Sequence, residues 1–385
     1  MVNTDRRQKM TDLLELRDQI DKIDREIVRL FEERMDVCRQ VAEYKIANGK
    51  KVLDRGRELE KLDTLGALTH NDFNRHGIQE LFRQIMSISR KLQYQLLVQE
   101  GVSGNLPFTQ IDRIDRKHCR VVYQGVEGAY QHQAALKYFG EDVNIFHMDS
   151  WRGCMEAIKE GMADYAVLPI ENSSAGEVND IYDLLEEYEN YIVGEQILEI
   201  NHALLGVPGA EISDIRTVYS HPQALMQCSV YLEQQEGWRQ KSVANTAMAA
   251  EKVAADGDRS QAAIGSVAAA EHHGLQILKM PINHNRFNST RFIIVTNRKM
   301  YEKDAKKVSI CFELPHKSGS LYSILSHIIY NDLNMCKIES RPIPEHNWEY
   351  HFFVDFDGNL NDSAVKNAIR GIMEEAVNFK ILGNY

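Results

Sequence analysis

The sequence predicts a multidomain chain in three parts: an all-α helical segment, a two-lobed α/β domain, and an α+β ferredoxin-like module of order βαββαβ. Three observations predict it. The chain has 385 residues, more than one ordinary domain holds. Its apolar residues recur every three or four positions at the start, and from Arg120 onward this gives way to short β-rich runs alternating with helical stretches. Two turn-rich or polar stretches, 101–117 and 299–306, then mark off a helical segment at 1–100, an α/β domain at 118–298 and a final module at 307–385.

The first helix carries the sharpest signal. Leu13, Leu16, Ile20, Ile23, Ile27 and Leu30 form one apolar seam, which Val37, Val41 and Tyr44 continue. Arg34 interrupts it, and a cation on an apolar seam calls for a negative partner. Lys45 lies within roughly 20° of the same face and about 16 Å further along the axis, so the two cations can close on one small anion. Arg17 lies about 25 Å before Arg34 and about 100° round the helix, beyond reach of the same ligand from a straight copy of that helix. If Arg17 joins the site, it comes from a second copy of the chain.

Two further sets follow. Asp54, Arg57 and Glu58 share one helical face. Ser89 and Gln93 form a polar pair one turn apart, beside the stripe Ile78, Leu81, Ile85, Ile88 and Leu92. Each set alone is an ordinary solvated face. Together they supply cations for carboxylates, and a carboxylate and an amide for neutral oxygens. Residues 12–97 resemble the all-helical chorismate mutase domain, through LRDQIDKIDREIVRLFEER, VAEYK, LDRGRE and the Ser-x-x-x-Gln spacing. The resemblance implies a binding set of Arg17, Arg34, Asp54, Arg57 and Ser89, with Lys45, Glu58 and Gln93 catalytic. It also implies intertwined helices that form two sites shared across a homodimer.

In the α/β domain, VVYQG, VNIF, YAVLPI, TVYS, AAIGS and RFIIVT read as strands of a largely parallel sheet. The segment YIVGEQILEINHALLGV is long enough to cross between two lobes and place a cleft there. Three polar clusters fall at strand ends, where α/β sheets bind ligands: Glu171-Asn172-Ser173-Ser174-Ala175-Gly176, Ser220-His221-Pro222-Gln223 with Gln227, and Asn288-Ser289-Thr290-Arg291. Each alone reads equally as capping or turn chemistry. PIENSSAG, YSHPQALMQC and NSTRF resemble prephenate dehydratase over roughly 118–298. That resemblance implies a cleft holding Asn172, Ser173, Ser220, Gln227 and Arg291. Thr290 is its catalytic residue, and Glu171, if burial raises its pKa, is the alternative general acid. One motif departs from the family. The first loop reads Gly125-Val126-Glu127-Gly128-Ala129-Tyr130-Gln131, where the family has Gly-Pro-x-Gly, an aromatic and Ser.

The strands and helices from VSICFEL to NFKILG run βαββαβ. Gly319-Ser320-Leu321 and Glu339-Ser340-Arg341-Pro342 resemble the phenylalanine-binding motifs of ACT modules, which implies an allosteric site for phenylalanine. Taken whole, the domain order resembles bifunctional chorismate mutase–prephenate dehydratases. Chorismate and prephenate are then the expected substrates and L-phenylalanine the expected effector.

Composition narrows the alternatives. The net charge is −11, yet residues 1–100 hold 19 Lys and Arg against 18 Asp and Glu, so the negative excess lies beyond them. A near-neutral helical segment is a poor nucleic-acid binder, which needs clustered excess cations. No apolar run approaches a membrane span, the start MVNTDRRQKM lacks an apolar signal core, and six scattered cysteines form no CxxC. A cytoplasmic protein with reduced thiols, no metal and no cofactor is expected. The rival reading is a cytoplasmic ligand sensor with a helical dimerisation arm. It leaves Arg34 unexplained and lacks a helix-turn-helix.

Overall fold

The computed structural model describes residues 2–101, 106–285, 287–343 and 348–385, with side chains from residue 13 onward. Residues 102–105 of the expected first linker lie outside the described residues. The chain forms two compact units. One comprises Met1–Asn105, Pro315–Asn334 and Asn361–Val377; the other comprises Leu106–Leu314, Met335–Leu360 and Asn378–Tyr385. This division differs from the three consecutive parts read from sequence. The two helices of the final module group with the N-terminal helices, and its strands group with the α/β domain.

The first unit is helical. Its N-terminal helices are α1 (Val2–Ala47), α2 (Arg55–Ala67) and α3 (Asp72–Gln99). Asp54 N-caps α2 by accepting from the Arg57 amide, and Asn71 caps α3 in the same way, which satisfies donors that helix starts leave open. α3 packs against α1, α2 and the helix Ser363–Glu375, which in turn packs on the helix Ser320–Tyr330. Its buried face is unusually polar, with Ser87, Ser89, Arg90, Lys91 and Gln93 beside Met86, Tyr94 and Leu97. The apolar seam of α1 is uncovered in the single chain: Leu16 is 54% exposed, Ile23 59% and Val37 57%.

The second unit is built on sheets. One sheet has five strands in the order Gln276–Lys279, Ala203–Gly206, Gln261–Gly265, Thr217–Ser220, Arg239–Ser242. A ten-stranded sheet contains Asn144–Met148, Arg120–Gln124, Tyr165–Asn172, Ser289–Thr296 and Tyr191–Glu199 as consecutive neighbours. The first three run parallel, as expected. Ser289–Thr296 is antiparallel to both of its neighbours, so the sheet is mixed. The chain leaves for the five-stranded sheet along Tyr191–Glu199 and returns along Ser289–Thr296. Two passages through one doorway must point in opposite senses. The cores combine aliphatic and aromatic side chains, with Val167, Leu168, Ile293, Ile294 and Val295 fully buried.

The same ten-stranded sheet continues into the C-terminal strands in the order Val377–Asn384, Lys307–Glu313, Tyr350–Asp357, Met335–Pro342. Chain order and sheet order agree with the βαββαβ arrangement. The junction is made where Gly383 pairs with Ile192 in parallel. A Cβ on Gly383 would collide with the Ile192 carbonyl oxygen, so only glycine permits the approach. The expected linkers also hold structure, because Thr109–Ile111 pairs in parallel with Met300–Glu302.

Candidate active sites

In the helical unit, Lys45, Asp54 and Arg57 gather around the end of α1 and the start of α2, while Arg34 meets α3. Arg34 Nη1 donates to Ser89 Oγ at 2.5 Å, and Ser89 Oγ donates back to the Ile85 carbonyl. Thus the seam arginine meets the expected α3 serine. Lys45 Nζ donates to the Val52 carbonyl at 2.5 Å. Burial pulls the Lys45 pKa down, Asp54, Glu58 and Glu374 pull it back up, and Arg57 adds to the lowering. Lys45, Asp54 and Arg57 line one cavity with Val41 and Tyr44. Gln93 Nε2 donates to the Ser89 carbonyl, while its buried Oε1 has no hydrogen-bond partner among the described residues. Glu58 is held by Arg90, whose Nη1 lies 2.6 and 2.7 Å from its two oxygens. Arg17 lies on the exposed face of α1.

The second unit holds a cleft of about 550 Å³ between its two sheets. Its lining includes Tyr130, Trp151, Asn172, His202, His221, Gln227 and Thr290. The chain crosses between the sheets at Ile200–His202, inside the segment expected to do so. Hydrogen-bond directions here follow from two backbone amides. Ser174 N and Ala175 N both donate to Asn172 Oδ1, at 3.0 and 2.9 Å. Asn172 Nδ2 is therefore the donor, and it reaches Asn288 Oδ1 and Thr290 Oγ1, each at 2.9 Å. With its oxygen facing Asn172, Asn288 turns its Nδ2 to Gln227 Oε1 at 3.1 Å. That same oxygen lies 2.9 Å from His202 Nε2, which must then carry the ring proton. Burial pushes His202 down, so the ring is neutral at pH 7, and its Nδ1 can accept from Tyr130 OH at 3.0 Å.

The consequence falls on Thr290. Its oxygen accepts from Asn172, so its own proton is available to a ligand. His221 also lines the cleft, and its Nδ1 accepts from Gln223 N as the N-cap of the helix Pro222–Gln227. It serves capping and lining together. The divergent first loop keeps its tight turn: Gly125 and Gly128 have φ of 116° and 81°. Gln131, at the position of the family serine, donates to the Val167 carbonyl at 2.6 Å.

Glu171 and Arg291 are corrected by the structure. Strand residues alternate between faces, so Asn172 and Thr290 face the cleft while Glu171 and Arg291 face away from it. Glu171 Oε2 accepts from Lys337 Nζ at 2.8 Å. Arg291 donates to Glu195, Asp355 and Tyr385 OH at 2.7, 3.0 and 2.7 Å. Neither lines the cleft. Ser220 is fully buried and donates to the Ile264 carbonyl, and Ser173 ties Phe287 and Ser289 together. Neither serine is in the lining of the cleft. The sequence reading missed His202, and it placed Asn288 in a polar cluster without giving it a role. The signal for His202 was its place in the crossover, where a buried polar residue has few reasons to be other than the site.

In the final module, Gly319 has φ +81° and caps the helix Ser320–Tyr330, beginning at Ser320-Leu321. Glu339, Ser340, Arg341 and Pro342 lie on the strand Met335–Pro342, with Arg341 paired to Asp183 at 3.0 Å. Among the described residues no group of His, Cys, Asp and Glu is placed to hold a metal ion, and no helix is long and apolar enough to cross a membrane.

A helical unit with a cavity lined by Lys45, Arg55 and Arg57, and an α/β cleft lined by oriented amides and a hydroxyl, are the features of an enzyme with two sites. The chain belongs to the bifunctional chorismate mutase/prephenate dehydratase family. Residues 16–94 match the model of chorismate mutase type II, and residues 121–300 match that of prephenate dehydratase. It is 34% identical over 386 residues to the bifunctional chorismate mutase/prephenate dehydratase of Enterobacter agglomerans, covering 97% of this chain and 95% of that one. Among solved structures, prephenate dehydratase from Arthrobacter aurescens in complex with L-Phe is 28% identical, with a TM-score of 0.65, over 69% of this chain and 89% of its own. GqqA, described as a quorum-quenching acylase, is 29% identical with a TM-score of 0.64, over 69% of this chain and 97% of its own.

Proposed function

We propose that the chain rearranges chorismate to prephenate in the helical unit and converts prephenate to phenylpyruvate in the cleft, within phenylalanine biosynthesis. The observation that carries the second reaction is the oriented chain Tyr130–His202–Gln227–Asn288–Asn172–Thr290. When prephenate reacts, the bond to its ring carboxylate breaks and carbon dioxide leaves. The released electron pair flows into the ring as the carbon–hydroxyl bond breaks, and the hydroxide takes up a proton to become water. The gain in aromaticity drives the step. The enzyme holds the substrate and helps hydroxide leave. Thr290, accepting from Asn172, donates its hydrogen bond to the departing oxygen. Glu171 drops out as general acid, because its carboxylate is engaged by Lys337 on the other face.

For the first reaction, Arg34 and Arg57 hold the two substrate carboxylates together with Arg17 of a second copy. Lys45 and Gln93 face the breaking ether oxygen, where negative charge develops. The rearrangement is intramolecular, so positioning and electrostatics supply the rate. The uncovered α1 seam supports a homodimer through the helical unit. Phenylalanine is the proposed effector, as a ligand of the Arthrobacter relative, with Gly319-Ser320-Leu321 and Glu339-Ser340-Arg341-Pro342 as its proposed contacts. A cytoplasmic location fits a biosynthetic enzyme of this kind. Incubating the purified chain with chorismate and following phenylpyruvate tests the whole reading; prephenate that accumulates unchanged would remove the dehydratase half.

A further inference from the structure

Arg90, on the buried face of α3, has no part in the roles above, yet it touches Glu58. Its side chain is 9% exposed. Nη1 grips both oxygens of Glu58, and Nη2 donates to Glu375 Oε1 at 2.6 Å. Glu375, at the end of the helix Ser363–Glu375, also receives His327 Nε2 at 3.1 Å and Ser323 Oγ at 2.6 Å. Its neighbour Glu374 accepts from Tyr94 OH at 2.5 Å and from the Leu53 amide at 3.3 Å, and its carbonyl accepts from Arg55. Thus two adjacent carboxylates hold both Arg90 and the segment that carries Asp54 into α2.

Two features show that this arrangement is more than packing. Glutamates in a last helical turn oppose the helix dipole, which favours cations there; the helix carries two and no basic residue in that turn. A buried arginine shared between carboxylates is also costly to assemble and strongly destabilising to break. The chemistry of the site supplies a reason. Its substrate is a dianion, and Glu58 sits among the charges that act on Lys45. An unmatched carboxylate there would repel the substrate. A carboxylate clasped by a guanidinium can still accept from a neutral hydroxyl while its field is weakened from behind.

We propose that Arg90 is a positioning residue of the mutase reaction, which fixes Glu58 as a hydrogen-bond acceptor, weakens its repulsion of the dianionic substrate, and takes its own orientation from Glu375. The proposal rests on the mutase reading of Glu58. It makes the C-terminal helix a structural part of the mutase site.

Steady-state kinetics on the full chain test it, with chorismate and prephenate supplied separately. Arg90→Met should raise the chorismate KM about tenfold or more, the scale of an unmatched like charge, with turnover of prephenate unchanged. Glu375→Gln should raise KM in the same direction by less. Arg90→Lys, which keeps the charge but loses the fork, should fall between wild type and Arg90→Met. The decisive variant is the double change Glu58→Gln with Arg90→Met. Removing the unmatched charge should recover most of the lost KM, though turnover stays low; a scaffold role for Arg90 predicts no such recovery. If Arg90→Met does not fold, Arg90→Lys and Glu375→Gln carry the test. An active wild type whose KM is indifferent to these changes overturns the proposal alone. A wild type inert toward chorismate overturns the mutase reading and the proposal together.

Discussion

Asn172 decides what Thr290 can do. Its oxygen is saturated by the Ser174 and Ala175 amides, so its nitrogen must face Thr290. Thr290 accepts there and keeps its own proton, which it can donate to a ligand. Thr290→Val keeps the shape and removes the donor. Dehydratase kcat should fall about 10²–10³-fold, the usual loss for one such donor, with KM little changed and chorismate still consumed. Thr290→Ser should retain much of the activity. Wild-type turnover in the valine variant, measured as phenylpyruvate release, would take Thr290 out of the reaction. At this scale the sequence was partly legible. Asn172 and Thr290 announced themselves as polar residues at strand ends, and Gln227 as one a turn further on. Glu171 and Arg291 stood in the same motifs, but strand alternation turns adjacent residues to opposite faces, and a motif read as one string conceals that.

Among the elements, α1 is the one whose sequence exceeds what its own chain can satisfy. Its seam stays uncovered, and Arg17 points outward from it. Mixing two inactive variants, Arg17→Ala and Lys45→Ala, should restore part of the mutase activity. Mixed dimers would hold one site with both lesions and one with neither. No recovery after subunit exchange, followed by native mass spectrometry, would mean that each site is built from one chain. The long helices were legible because their periodicity runs over many turns. Thr109–Ile111 and Met300–Glu302 were not, because three-residue strands leave no period to read and form only by pairing with each other. Nor was the direction of Ser289–Thr296 legible, since it depends on which doorway the chain uses to return.

For the whole molecule, buried titratable groups set the response to acid. Burial pushes His132, His202, His221, His273 and His327 down. Their unfolded counterparts titrate near about 6.5, so the unfolded chain binds more protons below that pH. Stability should therefore fall as pH drops from about 6.5 toward the lower folded values. Glu375 acts further down. Burial works to raise it, and His327, Arg90 and Ser323 overcome this, holding it at about 2. Its contribution is present above the ordinary carboxyl range near about 4.3 and is lost as pH falls toward 2. The urea midpoint measured from pH 7 to 5 should decline; a flat or rising midpoint would contradict the histidine assignment. The C-terminal strands matter at the same scale. A chain ending at Arg298 would leave Arg291 without Asp355 and Tyr385, and Glu171 without Lys337. Breaking one such pair costs about 3–5 kcal/mol when it is buried. The shortened chain should unfold at clearly lower urea and lose phenylpyruvate production; equal stability would mean that these pairs are dispensable.

The interleaved make-up of the two compact units bears on how such a gene can be cut. The chain passes from one unit to the other at 105/106, 314/315, 334/335, 360/361 and 377/378. A single nick by a protease, or a single split of the reading frame, cannot release both units intact. Cleavage at 105/106 strips the first three helices from the pair that completes their unit. A stop codon after the dehydratase region removes helices from one unit and strands from the other. Descent from separate genes would therefore not be reversible by deleting a linker: 106–385 would keep every part of the second unit, and the first unit would leave without the two helices that complete it.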